Sequence, residues 1–213
     1  MKILHIDCSP RAESHSRRLS AAIVERLSTL DPGASITRRD LGREPIPHTD
    51  PDYASMLSSP GKLDAEQSVT AVRLSEQLIS EVEAADVLVI GTPMNNFTVP
   101  SVLKAWIDQI LRIGRTIGAS SSGEKFGLLE DKPVYIGIAS GGVFAGGHAR
   151  QPDFLIPYLT AALGCAGLTS LQFFPLQATA FLDGDQLAVD RERLLATMNL
   201  TPLGMGATDN KSA

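Results

Sequence analysis

The sequence predicts an α/β fold, a three-layer sandwich around a five-stranded, mainly parallel sheet of order 2-1-3-4-5. Three observations lead there. Strand-like runs alternate with helix-period segments along the chain. The strand runs are mostly apolar, as strands covered on both faces should be. Five such strands fit within 213 residues, a length that supports one domain with a substantial core.

Lys2-Ile3-Leu4-His5-Ile6-Asp7 reads as the first strand. Cys8 to Ser16 forms a hydroxyl-rich loop, and a helix follows with Leu19, Ile23, Leu27 and Leu30 on one face. Ser14 or Ser16 caps it, and Asp31-Pro32-Gly33 stops it. Ser35 to Leu41 alternates with charges outward, the pattern of an edge strand. Residues 42–62 are proline-rich and short of apolar anchors, so they read as an irregular excursion with one helical turn near Tyr53 to Leu57. A second helix spans Asp64 to Val82 with Ala71, Leu74, Leu78 and Val82 inward.

Asp86-Val87-Leu88-Val89-Ile90 is the third strand. Pro100 suits the first turn of the next helix, because its missing N–H would be unpaired there anyway. That helix carries Leu103, Trp106, Ile107, Ile110, Leu111 and Ile113 around much of its circumference. The excess apolar width points to a second partner, most simply another copy of the chain; burial within one subunit is the alternative. Ala119 to Glu124 reads as a flexible, lid-like loop. Val134 to Ala139 is the fourth strand, and residues 143–150 are glycine-rich and read as mobile. Asp153 to Leu163 is helical, Leu168 to Pro175 is the fifth strand, and Asp185 to Met198 is the last helix. The domain spans 1–203; from Gly204 onward the tail lacks apolar anchors and is expected to fray.

A formal net charge of −5 argues against nonspecific binding of nucleic acid or anionic membranes. No apolar run approaches the roughly 20 residues of a membrane span. The first strand begins within two residues of Met1, which leaves no room for a signal peptide. Cys8 and Cys165 make neither a disulfide framework nor a zinc set, and the four histidines are not spaced as metal ligands. A cytoplasmic location is the resulting expectation.

The chemistry lies in three loops that follow the first, third and fourth strands. Those strands are neighbours in the predicted order, so the loops converge at one end of the sheet. Ser9 to Ser16 meets the amino end of a helix, whose orphan N–H groups and dipole favour an anion such as phosphate. Arg11 and Arg17 could add charge there; ordinary capping is the alternative. Met94, Asn95, Asn96 and Phe97 offer amides and large soft or flat side chains, which suit a planar heteroaromatic ring. Ala139, Ser140, Gly141 and Gly142 let backbone approach the ring's other edge. No G-x-G-x-x-G and no P-loop sequence occurs. Phosphate at the first loop and a ring at the other two describe one ligand, FMN.

On Ser9, Ser14-His15-Ser16, Pro93-Met94-Asn95-Asn96-Phe97 and Gly141-Gly142, the chain resembles the FMN-dependent azoreductase / NAD(P)H:quinone oxidoreductase family. The likeness runs in register over most of the chain, including Asp40-Leu41 and Leu103 to Asp108. It implies a flavodoxin-like fold, tight non-covalent FMN, and NADH or NADPH as co-substrate. It implies electron transfer by ping-pong chemistry to quinones, or in two turns to aromatic azo compounds. It puts Ser9, Ser14, His15 and Ser16 at the phosphate, and Met94 to Phe97 and Ala139 to Gly142 around the isoalloxazine. Backbone N–H groups near Asn96 and Phe97 would stabilise negative charge on the ring. No protein side chain is needed as a catalytic group, since the flavin carries the redox step. Two positions depart from the family pattern: Asn95 stands where a tyrosine is frequent, and Ala139-Ser140 where a serine–arginine pair is frequent.

Two rival readings fit less well. A low-molecular-weight phosphatase-like hydrolase would use Cys8 as nucleophile, but it needs an arginine where Ser14 stands. A non-enzymatic flavodoxin-like electron carrier would need no nicotinamide pocket.

Overall fold

The computed structural model describes residues 1–58 and 65–203. Its main sheet holds β1 (Lys2–Asp7), β2 (Ser35–Asp40), β3 (Val87–Pro93), β6 (Val134–Ala139) and β7 (Leu171–Leu176). Their order is β2-β1-β3-β6-β7, and every pairing is parallel. This is the predicted 2-1-3-4-5 order, with a separate antiparallel hairpin, β4 (Ile117–Ala119) and β5 (Lys125–Gly127), inserted before β6. The helices are α1 (His15–Leu30), α2 (Pro51–Ser58), α3 (Ala65–Ala84), α4 (Ser101–Ile110), α5 (Leu155–Ala166) and α6 (Gly184–Ala196).

The strand period of two divides the core into two layers. Leu4, Ile6, Leu88, Ile90, Val134 and Ile136 pack with α3, α4 and α5 residues such as Leu78, Trp106, Ile110 and Leu159. Their sequence neighbours Ile3, Val87, Val89 and Tyr135 pack on the other side with Leu19, Ile23, Leu27 and Leu187 from α1 and α6. β2 has a neighbour on one side only, and its first four residues are exposed, as an edge requires.

Register decides where the loops begin. Asp7 lies level with Asp40 and Gly91, and Pro93 lies level with Ala139. β1, β3 and β6 therefore release their chains at one rim. α1 runs close beneath them because Gly91 has no side chain. A Cβ there would lie 2.4 Å from Ser20 Oγ and 2.9 Å from the Ser16 carbonyl oxygen. That close approach brings the amino end of α1 to the rim.

Several expectations are corrected. The excursion after β2 contains a two-turn helix: Pro51 opens α2, and Asp50 Oδ1 accepts the Tyr53 N–H at 2.8 Å. Tyr53 is a buried anchor whose hydroxyl reaches Ser75 and the carbonyls of Asp108 and Gln109. The lid-like loop is the turn of the β4–β5 hairpin, closed by the Ser120 N–H on the Glu124 carbonyl and the Glu124 N–H on Ser120 Oγ. The start of the segment 143–150 is anchored: Gln177 Oε1 accepts the N–H groups of Phe144 and Ala145 at 2.7 and 2.8 Å. The start of α3 at Asp64 and the tail 204–213 lie outside the described residues.

The breadth of apolar surface on α4 has an internal explanation. Leu103, Trp106, Ile107 and Ile110 are fully buried within the chain, which accounts for the width of the helix itself; Leu111 is half-buried, and Ile113, beyond the end of α4, stays exposed. Trp106→Ala is expected to lower the unfolding free energy by about 3–5 kcal/mol through the cavity it leaves. Urea unfolding measures this; a loss below about 1 kcal/mol would show that α4 is not a core helix.

Candidate functional site

At the rim lies a cleft of about 490 Å³. Ser9, Pro10, Arg11, Ser14 and His15 line one end; Pro93, Met94, Asn95, Ala139, Gly141, Thr179 and Ala180 line the rest. The volume falls in the ordinary range for small-molecule sites, about 300–1,000 Å³. All three predicted loops contribute to it.

The first loop is held by its own hydroxyls. Ser14 is the N-cap of α1, with its side chain accepting the Arg17 N–H at 3.4 Å. Ser16 is buried beneath it and exchanges a 2.8 Å hydrogen bond with Ser14 Oγ. Ser16 therefore seats Ser14 and does not itself line the cleft. Ser9 Oγ accepts the Arg11 N–H at 3.3 Å. Burial, then the charges of Arg18, Arg11 and Arg191, push the His15 pKa below its ordinary value. Those three cations mark this end of the cleft as favourable to an anion.

Arg17 corrects the sequence reading. It is buried and turned away from the cleft, so it is not a direct phosphate contact. Its Nε and Nη2 donate to the Ser9 carbonyl at 2.8 and 2.6 Å, and its Nη1 donates to Asp40 Oδ2 at 2.8 Å. Beside it lies Asp7, fully buried at the end of β1. Arg38 donates to its Oδ2 from Nε and Nη2 at 3.0 and 2.6 Å, and Ser20 donates to its Oδ1 at 3.2 Å. Burial raises the Asp7 pKa, but the hydrogen bonds and charges of His5, Arg38 and Arg17 outweigh it and hold the carboxyl at about 2.

The third-strand loop is a tight turn. Asn95 and Thr98 exchange two backbone hydrogen bonds of 3.0 Å. Asn96 and Phe97 between them have φ of 48° and 72°. Two consecutive non-glycine residues in this region form a type I′ geometry and carry strain, which concentrates at functional sites. Asn95 lines the cleft, whereas Asn96 and Phe97 project at the exposed tip of the turn. Phe154 N–H donates to the Phe97 carbonyl at 3.0 Å, fixing the turn from behind.

The loop after β6 is braced on two sides. Gln151 Nε2 donates to Ser140 Oγ at 3.0 Å and contacts Met94 Sδ at 3.2 Å, joining this loop to the previous one. Ser140 is thereby buried behind the cleft, and Gly142 lies under the Gln151 amide. The N–H groups of Ala178, Thr179 and Ala180 donate to the carbonyls of Gly142, Ser140 and Gly141. Thr179 and Ala180 are the lining residues that sequence reasoning missed. The available signal was positional: Gln177 to Ala180 follow the carboxyl end of a parallel strand, the end where ligands bind.

Cys8 is fully buried, outside the lining, and burial pushes its thiol pKa upward. A nucleophilic role needs an accessible thiolate, so the hydrolase reading fails on geometry. Among the described residues no cluster of three or more His, Cys, Asp or Glu side chains could hold a metal ion, and no helix is long and apolar enough to cross a membrane.

The chain matches a family model described as flavodoxin-like fold over residues 1–198. It is 42% identical to FMN-dependent NADH:quinone oxidoreductase 4 of Pseudomonas fluorescens, covering 94% of this chain and 95% of that protein. It is 44% identical to the FMN-dependent NADH:quinone oxidoreductase of Beijerinckia indica, covering 80% and 85%. Among solved structures, an azoreductase from Bacillus anthracis superposes with a TM-score of 0.79 at 25% identity, over 92% of this chain and 95% of that one. An FMN-dependent NADH-azoreductase from the same species, solved in complex with FMN, shares the fold with a TM-score of 0.78 at 24% identity, over 93% and 99%.

Proposed function

The chain belongs to the flavodoxin-like fold family and, within it, to the FMN-dependent NADH:quinone oxidoreductases, and from that premise we propose how its cleft works. The protein is an FMN-dependent oxidoreductase that passes electrons from NAD(P)H to quinones and aromatic azo compounds. The observation that carries this function into the structure is the single cleft in which a helix amino end meets a strained amide-bearing turn and a glycine-containing turn. The donor set fits FMN: hydroxyls and helix N–H groups at one end, backbone and amide groups at the other. When bound, FMN supplies the two-electron chemistry, accepting reducing equivalents from the nicotinamide and delivering them to the acceptor.

The residues then have distinct tasks. Ser9 and Ser14 hydroxyls, with the first N–H groups of α1 and the His15 ring beside them, bind the phosphate. Ser16 orients Ser14. Met94 and Asn95 would hold one edge of the ring and Ala139 and Gly141 the other, with Ser140 and Gly142 supporting that turn from behind. Thr179 and Ala180 close this side. The N–H groups of the Asn96–Phe97 turn, which is anchored by Asn95 in the cleft wall, would stabilise negative charge at the ring edge. With FMN bound, the same open cleft would admit the nicotinamide and then the acceptor, the ping-pong order.

Two experiments test this. Flavin-loaded protein should oxidise NADH steadily when menadione is supplied; absence of turnover would reject an enzyme in favour of a carrier. Asn96→Ala is expected to weaken FMN retention or reduction by about 1 kcal/mol, because alanine fits the positive φ of this turn less well and the turn carries Asn95 into the cleft. Wild-type affinity and reduction rate in that variant would remove Asn96 from the site.

The working form we propose is a cytoplasmic homodimer built from one domain spanning 1–203. Its support is a set of large apolar side chains left on the surface, Ile113, Phe154 and Phe181, each more than half exposed. Light scattering decides the oligomeric state, and a monomer at micromolar concentration would reject the dimer.

A further inference from the structure

We propose that Arg17 is a positioning residue for the phosphate end of the cleft, acting through the Ser9 carbonyl and not by touching the ligand. The inference rests on the FMN reading above and deepens it. Arg17 lies at the third position of α1, 6% exposed, and is absent from the cleft lining. Two of its nitrogens converge on one acceptor, the Ser9 carbonyl oxygen. The guanidinium is itself held from behind by Asp40, to which it donates through Nη1 and Nη2, and it lies 3.3 Å from Asp7 Oδ2. A fork of this kind fixes direction as well as distance.

The consequence is electrostatic. A carbonyl oxygen is the negative end of the peptide dipole, and an anion at the rim would be repelled by one facing it. Arg17 holds this oxygen inward, leaving the Ser9 hydroxyl on the cleft side. The other face of the same peptide is closed by Gly42, where a Cβ would lie 2.1 Å from the Ser9 oxygen and 2.9 Å from Pro10 N. The Gly42 N–H is tied to the Asp7 carbonyl at 3.1 Å. The Ser9–Pro10 peptide is therefore clamped between two fixed groups, and among the described residues the guanidinium alone donates to its oxygen. Without that donor the oxygen is left buried and unpaired, or it rotates outward toward the phosphate.

The test compares two ligands that differ only in the phosphate. FMN and riboflavin are titrated into wild type, Arg17→Lys and Asp40→Asn, following flavin fluorescence quenching. A lysine ammonium cannot make the same fork. The expected result is a loss of about tenfold or more in FMN affinity for Arg17→Lys, with riboflavin affinity changed by less than about twofold. Asp40→Asn should move in the same direction by a smaller factor, and it decides the outcome if Arg17→Lys does not fold. Equal losses for both ligands would mean Arg17 merely supports the fold and would overturn the proposal; so would unchanged FMN affinity. Failure of wild type to bind either flavin would instead overturn the FMN reading itself.

Discussion

Gly42→Val is expected to lower FMN affinity by about a hundredfold and the unfolding free energy by about 1–3 kcal/mol. The reason is contact with backbone, which cannot rotate away. The new Cβ would lie 2.1 Å from the Ser9 carbonyl oxygen and 2.3 Å from its carbon. Either the chain after β2 or the Ser9 loop must shift. Gly42 is itself fixed to β1 by its N–H bond to the Asp7 carbonyl, and Arg43 and Glu44 N–H groups bond the Asp40 carbonyl. The strain is thus forced onto the loop that binds the phosphate. Flavin titration together with urea unfolding separates the two effects. A variant with wild-type FMN affinity would show that the Ser9 loop does not hold the ligand.

Asp7→Ala is the second large effect, a loss of about 3–5 kcal/mol, because it leaves buried cationic and polar groups without their acceptor. Arg38, Ser20 and Arg17 all face this carboxylate. The pH dependence follows with a definite sign. The folded-state pKa is depressed from 3.8 to about 2, so the stabilisation is fully present above the unfolded value. It is lost as pH falls through the folded value. Wild type should therefore lose on the order of 2 kcal/mol between about pH 4 and pH 2 from this group alone. Asp7→Asn should remove that portion of the slope. An unchanged acid-unfolding profile in Asp7→Asn would mean that other carboxylates account for acid lability.

Much of the architecture was legible because it is written in local patterns. The apolar runs of β1, β3 and β6 and the period-two split of their side chains are enough to specify a covered parallel sheet. The loops after those strands carry hydroxyls, amides and glycines, and strand order brings them together. What escaped notice depended on partners distant in sequence. Arg17 looked like a free cation beside a phosphate loop, but Asp40, twenty-three residues later, claims it. The apolar girth of α4 looked intermolecular because its packing against α3 is not visible from its own sequence. The hairpin strands β4 and β5 have three residues each, too few to show a period. α2 reads from sequence as a single turn near Tyr53 to Leu57 and is longer, running from Pro51 to Ser58; Asp50-Pro51 is itself a helix-start signal. Thr179 and Ala180 carried no distinctive chemistry and enter the site by position.

The most direct measurement is the visible spectrum of the purified protein, mixed with excess FMN, passed through gel filtration, and then treated with NADH under nitrogen. Co-elution of yellow flavin with the protein at about one per chain, bleaching on NADH and returning with a quinone, is the predicted result. A colourless protein peak, with the fluorescence of added FMN unquenched, would contradict the claim that the three loops jointly hold this cofactor.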